Sequence, residues 1–380
     1  MKIGILTLSS PDSGGVFQYT LSILEAMKEI SEVSNNYEMI QISYENFPKI
    51  LKKCFIIEKQ KTPIGLKVRR LIHTFTGIKI GKLAPDIDVD FIISPTITLL
   101  PYHMKKPYIV TIHDFQHKYY PEFFTIKEKI SREIVYRTGK KANLVICESN
   151  YVKHDIMKFL NIDKNKIKVL PSPPPSYLQT MEINNENLLT LREKYNLPEG
   201  YIFYPAQFWH HKNHINLLRA LKYIKDNYNL EIPLILVGSK KNNFERVMNE
   251  IQNLGLTQQV KYLGYVPHED MPYLYKLATA LVMPTLFESV SMPIWEAFYL
   301  GCPVVSSNVC ALPEQVGDAG LIFDPYNIKD IAEKILIIWT NENLRNELIN
   351  KGFERVKDLT IENYAKDWEK ILEEVKNDIR

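Results

Sequence analysis

The sequence predicts an α/β fold with two Rossmann-like, doubly wound parallel-sheet domains that face each other across a cleft. Short runs rich in β-branched residues alternate with helical patterns, as in parallel βαβ units. Most of these runs are apolar throughout, which is typical of strands covered by helices on both sheet faces. At 380 residues the chain is also too long for one ordinary core.

The first half of the chain contains four predicted strands. They are residues 2–8, 90–94, 108–114 and 144–149. A helix is predicted to begin near Gly15, where apolar residues start to recur at helical spacing.

A proline-rich segment separates the two predicted domains. Pro171 and the run from Pro173 to Pro175 place four prolines within five residues. Neither a helix nor a central strand accommodates such a run, so we predict a hinge here. The predicted N-terminal domain is 1–175 and the C-terminal domain is 176–360. Residues 361–380 are predicted to form a terminal amphipathic helix that packs back towards the N-terminal domain.

The strands predicted for the second domain are residues 202–206, 233–238, 260–264, 280–284, 303–307 and 321–324.

The composition indicates an ordinary globular protein and excludes several classes. The chain is 45% hydrophobic and 24% charged with a net charge of +3, so it is not a polyanion binder as a whole. The apolar run at the amino terminus is too short for a signal peptide, and no run approaches the roughly 20 apolar residues of a spanning helix. We therefore expect a cytoplasmic protein.

The cysteines lack CxxC spacing and are interpreted as reduced thiols; they are Cys54, Cys147, Cys302 and Cys310.

A glycine pair follows the first strand. Gly14 and Gly15 let the backbone approach a ligand closely, and the helix that follows offers unpaired N–H groups to an anion. An ordinary strand-to-helix turn explains the pair equally well. The pattern is not GxGxxG, which disfavours a nicotinamide or flavin cofactor.

His113 and Asp114 lie where the third strand ends, the edge from which side chains of α/β sites project. A metal site formed with His117 is one alternative, but no acidic cluster supports it. A histidine satisfied by local hydrogen bonds is another. The preferred interpretation places His113 in the cleft, in contact with a ligand.

The segment that follows the first strand of the second domain contains Lys212 just before a predicted helix. A lysine beside a helix N-terminus suits a diphosphate. Three histidines, at 210, 211 and 214, suggest zinc as an alternative, but the HExxH glutamate is missing and the lysine disfavours a cation. Gly238 ends the next strand, and the backbone around Val266 suits a slot for a base.

Two glutamates, Glu288 and Glu296, lie eight positions apart in a segment that is otherwise apolar. Pro293 opens a helix and Gly301 follows its end, so Glu288 precedes the helix and Glu296 lies one turn inside it. A carboxylate accepts two hydroxyl hydrogen bonds, which suits the diol of a ribose or a hexose. In one alternative, Glu288 is a solvated loop residue and Glu296 is a capping carboxylate. In another, the two form the acid and nucleophile pair of a glycosidase.

Together these segments resemble the retaining, nucleotide-sugar-dependent glycosyltransferases of family four, which have the GT-B fold. The resemblance covers nearly the whole chain, and its most specific part is the E-x7-E motif with the helix that follows it. The branch it resembles includes mannosyl- and rhamnosyltransferases. The matching segments are SGGVFQY, TIHD, CESNYVKHDI, AQFWHHKNH, GYVPHEDMPYLY and FESVSMPIWEAFYLGCPVV.

The chain departs from the family pattern in two places. The family loop Glu-Gly-Phe-Gly-Leu-Pro is here Glu288-Ser-Val-Ser-Met-Pro293, with serines in place of both glycines. The family arginine five residues before the clamp lysine is here Gln207. Both changes concern the identity of the donor more than the class of reaction.

The resemblance implies a role for each matched residue. His113 and Glu288 would be catalytic, with His113 near the reacting centre and Glu288 on the hydroxyls of the donor sugar, while Glu296 would bind the ribose. No metal or other cofactor is implied, since no Asp-x-Asp motif is evident. The implied donor-binding residues are Gly14, Gly15, Gln207, Lys212, Gly238, Val266, Glu288, Ser289, Val290, Ser291, Met292 and Glu296.

The expected partners are a nucleotide-sugar donor and a glycan or lipid-diphosphate-linked acceptor, not nucleic acid. The segment 49–82 has ten Lys or Arg against one acid, Glu58, and interleaves the cations with apolar residues. Such a stretch suits an anionic membrane surface, although a solvated helical face is nearly as good an interpretation. Rival functions are a sugar-nucleotide 2-epimerase of the same fold and a non-catalytic nucleotide-binding protein.

Overall fold

The computed structural model describes residues 1–10, 14–44, 47–57, 64–78, 80–181 and 183–379. The chain divides into two compact units. Unit 1 comprises Met1–Pro173 and Leu359–Arg380, and unit 2 comprises Pro174–Asp358.

The described residues form strands and helices in alternation. The strands are β1 (Lys2–Thr7), β2 (Glu38–Ser43), β3 (Lys53–Ile56), β4 (Phe91–Ser94), β5 (Tyr108–Thr111), β6 (Leu144–Cys147), β7 (Ile167–Val169), β8 (Ile202–Pro205), β9 (Leu234–Val237), β10 (Val260–Tyr262), β11 (Ala280–Met283), β12 (Val304–Ser307) and β13 (Gly320–Phe323). The α-helices are α1 (Gly15–Val33), α2 (Ile64–Thr76), α3 (Leu100–Met104), α4 (Gln116–Tyr119), α5 (Ile126–Tyr136), α6 (Asn150–Leu160), α7 (Tyr177–Thr180), α8 (Asn185–Lys194), α9 (His214–Tyr228), α10 (Phe244–Asn253), α11 (Met271–Leu277), α12 (Met292–Leu300), α13 (Leu312–Val316), α14 (Ile328–Thr340), α15 (Glu342–Val356) and α16 (Ile361–Ile379).

Each unit is built on one parallel sheet. The order in unit 1 is β3-β2-β1-β4-β5-β6-β7, and the order in unit 2 is β10-β9-β8-β11-β12-β13. All strand pairs in both sheets are parallel. The prediction of two doubly wound α/β domains is confirmed. In each sheet the strand order reverses once, between β1 and β4 in unit 1 and between β8 and β11 in unit 2.

Three strands of the first sheet, β2, β3 and β7, were missing from the sequence prediction. In β2 the buried Gln41 interrupts the apolar run, and its side chain bonds Pro48 O and the Ile50 N–H. The strands β3 and β7 lie at the two sheet edges, where burial is incomplete and the apolar signal is short. The predicted strands at 108–114 and 144–149 were too long, since β5 ends at Thr111 and β6 at Cys147.

The helix α12 begins and ends as the sequence predicts. Pro293 lies in its first turn, where the missing N–H costs no helical hydrogen bond. Gly301 follows its last residue with a positive φ of 67°, the left-handed conformation that favours glycine. A Cβ at Gly301 would also lie 2.8 Å from the Phe353 ring, so a larger residue requires that ring to move.

The C-terminal helix α16 is part of the core of unit 1. It packs against α1, and Trp368 is fully buried among residues of β1, β4 and α1. The Tyr364 ring meets the Trp368 ring edge to face, with centroids 6.2 Å apart. Residues from the far end of the sequence therefore complete the hydrophobic core of the first sheet.

We expect Trp368→Ala to lower the free energy of unfolding by about 3–5 kcal/mol, because it leaves a large cavity in this core. Chemical denaturation followed by circular dichroism measures the change. Lys370→Ala, on the exposed face of the same helix, is the control and should change stability by less than about 1 kcal/mol. Equal effects of the two substitutions would show that α16 does not anchor unit 1.

Candidate functional site

The candidate site of unit 2 lies at the point where its strand order reverses. In open parallel sheets ligands bind beyond the carboxyl ends of the strands, at this reversal. The loops after β8 and β11 both start at this edge, and backbone and side-chain hydrogen bonds join them. The Leu286 N–H and the Thr285 hydroxyl donate to His211 O at 2.7 and 3.1 Å, and Asn213 Nδ2 donates to Pro284 O at 2.9 Å.

These joined loops bring Lys212 and Glu288 together. The Lys212 ammonium donates to Glu288 Oε2, and each side chain is less than a fifth exposed. The Lys212 carbonyl accepts from the Tyr204 hydroxyl at 2.8 Å, which holds the backbone of the lysine in place. A cation and a carboxylate 76 positions apart in sequence thus form one ion pair at the sheet edge.

Glu296 is a buried carboxylate with tyrosine partners. Its Oε2 accepts from the Tyr275 hydroxyl at 2.5 Å, and the Tyr177 hydroxyl is a second partner. Burial raises the pKa of Glu296, and the two hydroxyls oppose that rise. Glu296 is therefore held inside α12 by hydroxyl groups and does not cap the helix.

The loop residues Ser289, Val290 and Ser291 lead into α12, whose first residue is Met292. Ser289 and Val290 are half-buried, whereas Ser291 and Met292 are buried. The side chain of Gln315 forms two hydrogen bonds with the backbone of Ser291. Its Oε1 accepts from the Ser291 N–H at 2.9 Å, and its Nε2 donates to Ser291 O at 2.8 Å. Diphosphate binding through the Ser291 amide therefore requires the ligand to take the place of Gln315.

Gly238 and Gln207 lie close together beyond β9 and β8. A Cβ at Gly238 would lie 2.3 Å from Ala206 O, so only glycine lets these two segments approach. Gln207, at the position of the family arginine, accepts from Trp209 Nε1 at 2.9 Å. Val266 is buried in the turn after β10.

Two of the three clustered histidines, His210 and His214, have different surroundings. His214 is buried against the Phe208 ring at 4.5 Å, and burial lowers its pKa to about 3. His210 is exposed and its Nε2 contacts Arg246 at 3.1 Å. Within the described ranges, no three His, Cys, Asp or Glu side chains are grouped as a metal site requires.

In unit 1, Gly14 and Gly15 are exposed at the start of α1. Gly14 has φ 57° and ψ −121°, a combination that favours glycine. A Cβ at Gly15 would meet no atom within 4 Å, so the backbone there faces open space. The preceding residues 11–13 of the predicted loop lie outside the described residues.

His113 lies two residues beyond β5, and both of its ring nitrogens are engaged. Its Nδ1 lies 3.1 Å from Glu148 Oε2, and its Nε2 lies 2.9 Å from Pro95 O. Both partners are acceptors, so the ring must donate from both nitrogens and is an imidazolium. Burial lowers the pKa of His113, but the hydrogen bond and charge of Glu148 outweigh it, and the pKa is raised.

Further contacts hold this imidazolium in one orientation. The Ser172 hydroxyl donates to Glu148 Oε1 at 2.7 Å, and the Tyr19 ring meets the imidazole edge to face at 4.8 Å. The neighbouring His117 is instead buried among aromatic rings, with Nε2 3.3 Å from Glu133. Contact between a ligand and a nitrogen of His113 requires exchange of one of its present hydrogen bonds.

Sequence reasoning missed the groups that hold the predicted residues. They are Glu148, Ser172, Tyr177, Tyr275 and Gln315. Glu148 and Tyr275 lie in matched segments, but nothing in their spacing indicates which group each contacts. In the sequence, only Glu296 indicated that such partner groups are needed, since a carboxylate in an apolar segment requires hydrogen-bond donors.

The chain matches two protein-family models in succession. Residues 14–173 match Glycosyltransferase Family 4, and residues 190–355 match Glycosyl transferases group 1. The two matches together span most of both units.

Curated relatives and solved structures agree with these matches. The chain is 29% identical over 267 residues to O-antigen chain mannosyltransferase B of Escherichia coli, covering 70% of this chain and 69% of that protein. It is 23% identical over 320 residues to O-antigen chain mannosyltransferase RfbU of Salmonella typhimurium, covering 82% and 83%. Its fold is similar to that of Anabaena Alr3699/HepE in complex with UDP and glucose, with a TM-score of 0.76 at 17% identity, covering 98% and 100%.

We expect Glu296→Gln to stabilise the protein at neutral pH, because the buried site disfavours the ionised carboxylate. The folded-state pKa of Glu296 is raised, so ionisation lowers the stability of the wild type as pH rises through that value. The gain in Tm should therefore be a few degrees at pH 7 and shrink as pH falls. Thermal denaturation between pH 4 and pH 8 measures it, with the exposed Glu333→Gln as control. A gain that is the same at every pH would contradict this account.

Proposed function

The chain belongs to the family-4 glycosyltransferases, which have the GT-B fold, and from this premise we propose a specific reaction for it. It transfers a hexose, mannose or rhamnose or one similar, from a nucleotide-diphosphate sugar to a hydroxyl of a glycan or lipid-linked acceptor. Transfer retains the anomeric configuration and serves the assembly of cell-surface polysaccharide. The names of the two mannosyltransferase relatives support this choice of sugar and pathway.

The observation that carries the proposal is the ion pair of Lys212 and Glu288. It unites the predicted phosphate-clamp loop with the first glutamate of the E-x7-E motif at the reversal of the sheet. A diphosphate needs a cation, and sugar hydroxyls need an acceptor. One edge of unit 2 supplies both groups side by side.

We assign the chemistry to stabilisation of charge. As the bond from the sugar to the phosphate breaks, positive charge develops on the sugar and negative charge on the departing diphosphate. Lys212 stabilises the diphosphate, and the start of α12 adds its dipole. Glu288 accepts hydrogen bonds from the sugar hydroxyls, and Glu296 accepts them from the ribose. We propose that no divalent cation is required, because Lys212 and the helix supply the positive charge.

We assign the remaining predicted residues to binding. We propose that the backbone at Gly15 binds the diphosphate and that the turn at Val266, which is buried, receives the base. His113, an imidazolium held by Glu148, contacts the donor sugar near the reacting centre.

We expect Glu288→Gln to lower the rate of transfer by roughly a hundredfold or more, because it removes the negative charge that pairs with Lys212 and replaces one acceptor oxygen with an N–H donor. Release of nucleoside diphosphate from UDP-, GDP- and dTDP-sugars, with an extract of lipid-linked glycan as acceptor, measures the rate. Glu250→Gln is the matched control, since Glu250 pairs with Arg219 at 2.8 Å and is as exposed as Glu288.

The same assay separates the rival functions. A donor turned over to a free epimeric sugar nucleotide would indicate the 2-epimerase. Donor binding with no turnover would indicate the non-catalytic protein. Wild-type turnover in Glu288→Gln would mean that the site is wrongly assigned.

We further propose that unit 1 contacts the inner face of an anionic membrane through α2. The helix has no acidic residue, and Val68, Leu71 and Phe75 form an exposed apolar stripe at spacings of three and four. Its other face is anchored where His73 Nδ1 lies 3.0 Å from His103 Nδ1. A basic helix with an exposed apolar stripe is typical of surface binding to lipid.

Residues 58–63 and 79 of the predicted segment 49–82 lie outside the described residues. No described helix has the length and apolar character needed to cross a bilayer.

We expect Leu71→Glu to weaken binding to vesicles with 30% anionic lipid by about tenfold, because it adds a negative charge and removes apolar contact. Cosedimentation with the vesicles measures binding. Leu189→Glu, an exposed leucine on α8 of unit 2, is the matched control. Equal binding by the two variants would contradict a role for α2.

A further inference from the structure

The carboxylate of Glu296 has more acceptor positions than its present partners use. An ionised carboxylate offers about four lone-pair positions. Among the described residues the hydroxyls of Tyr275 and Tyr177 occupy two of them, which leaves two for a ligand. A ribose presents two adjacent hydroxyl donors.

We infer that Tyr177 and Tyr275 are positioning residues, which orient the Glu296 carboxylate so that its two remaining lone pairs meet the 2′ and 3′ hydroxyls of the donor's ribose. This inference rests on the proposed role of Glu296 as the ribose ligand. Neither tyrosine needs to touch the nucleotide. Each acts by fixing the plane of the carboxylate and keeping it ionised.

Tyr275 is rigidly placed on α11, beside α12. Its side chain is buried, and its ring meets the Phe203 ring edge to face with centroids 5.0 Å apart. Its hydroxyl lies 2.5 Å from Glu296 Oε2, the short distance typical of a hydroxyl that donates to a carboxylate. Burial raises the pKa of Tyr275 well above its ordinary value, so the hydroxyl keeps its proton.

Tyr177 reaches the same carboxylate from the proline-rich segment. It is the first residue of α7 and lies two positions beyond Pro175, whose carbonyl accepts from the Leu178 N–H at 3.1 Å. The prolines restrict the backbone before this turn, which places the tyrosine with little freedom. Burial raises its pKa as well, so Tyr177 is also a permanent donor. The segment predicted as a hinge therefore also supplies a partner of the ribose ligand.

The two hydroxyls oppose the cost of burying a charge. Without them the carboxylate would lose charge-assisted hydrogen bonds in a site where burial already raises its pKa. A protonated carboxyl has fewer acceptor positions and no negative charge to offer a ribose. Loss of either hydroxyl should thus weaken ribose binding and shift its pH dependence, which mere loss of packing would not do.

The test uses Tyr275→Phe, Tyr177→Phe and the double variant in the full-length protein. Tyr201→Phe is the matched control, because the buried Tyr201 hydroxyl in the same unit donates to a backbone carbonyl, Leu274 O, at 2.7 Å. Calorimetry measures the Kd of UDP, GDP, 2′-deoxy-UDP and 2′-deoxy-GDP between pH 5 and pH 8. The ribonucleotide that the wild type binds and its 2′-deoxy form are then compared across the variants.

Each single variant should weaken binding of the ribonucleotide about tenfold, the effect of losing a positioned charge-assisted hydrogen bond. The 2′-deoxy form should be affected less, so the preference for ribose over deoxyribose should shrink and nearly vanish in the double variant. The pH at which half of the binding is lost should move upward in each variant. Tyr201→Phe should leave the preference and the pH profile unchanged.

Three further outcomes separate the inference from the proposed function. A wild type that binds neither ribonucleotide would overturn this inference, and it would overturn the proposed donor site as well if dTDP-sugars are also not turned over. A wild type that prefers ribose, with the same preference and pH profile in all the tyrosine variants, would overturn the inference alone. Equal weakening of the ribose and deoxyribose forms with no pH shift would assign the tyrosines a structural role and also overturn it.

Discussion

The reversal of strand order in each parallel sheet is the constraint on which the functional geometry depends. Parallel strands end at one sheet edge, and at the reversal the neighbouring loops diverge and leave room for a ligand. In unit 2 the reversal joins the loops after β8 and β11, which carry Lys212 and Glu288. In unit 1 it lies between β1 and β4, where Pro95 O, beyond β4, holds His113.

Buried charge is compensated in a consistent way in both units. Glu148 holds the imidazolium of His113 and accepts the Ser172 hydroxyl, while Glu296 accepts two tyrosine hydroxyls. Residues on either side of the run Pro173 to Pro175 thus contact a carboxylate in their own unit. Both sites hold an ionised group where burial disfavours its charge. Burial of the charge costs stability, and the hydrogen bonds give the side chain a defined orientation.

Much of the fold followed from the sequence because apolar patterns report burial on both faces of a sheet. The six strands of unit 2 and the bounds of α12 are clear for this reason. The strands β2, β3 and β7 are not, since one carries the buried Gln41 and two are incompletely buried edges. An edge strand and a loop have similar local composition, and only pairing with a neighbour distinguishes them.

The sequence by itself determined the class of fold, the six strands of unit 2 and the residues whose chemistry suits a nucleotide-sugar, because periodicity, turn residues and charged groups in apolar segments are local properties. Only the tertiary structure decided which groups meet. Lys212 and Glu288 are 76 positions apart, and Tyr275 and Glu296 are 21 apart. Such pairs depend on which strands are neighbours, and strand order is a property of the whole sheet. For the same reason the protonation of His113 and the burial of Glu296 became apparent only from the folded chain.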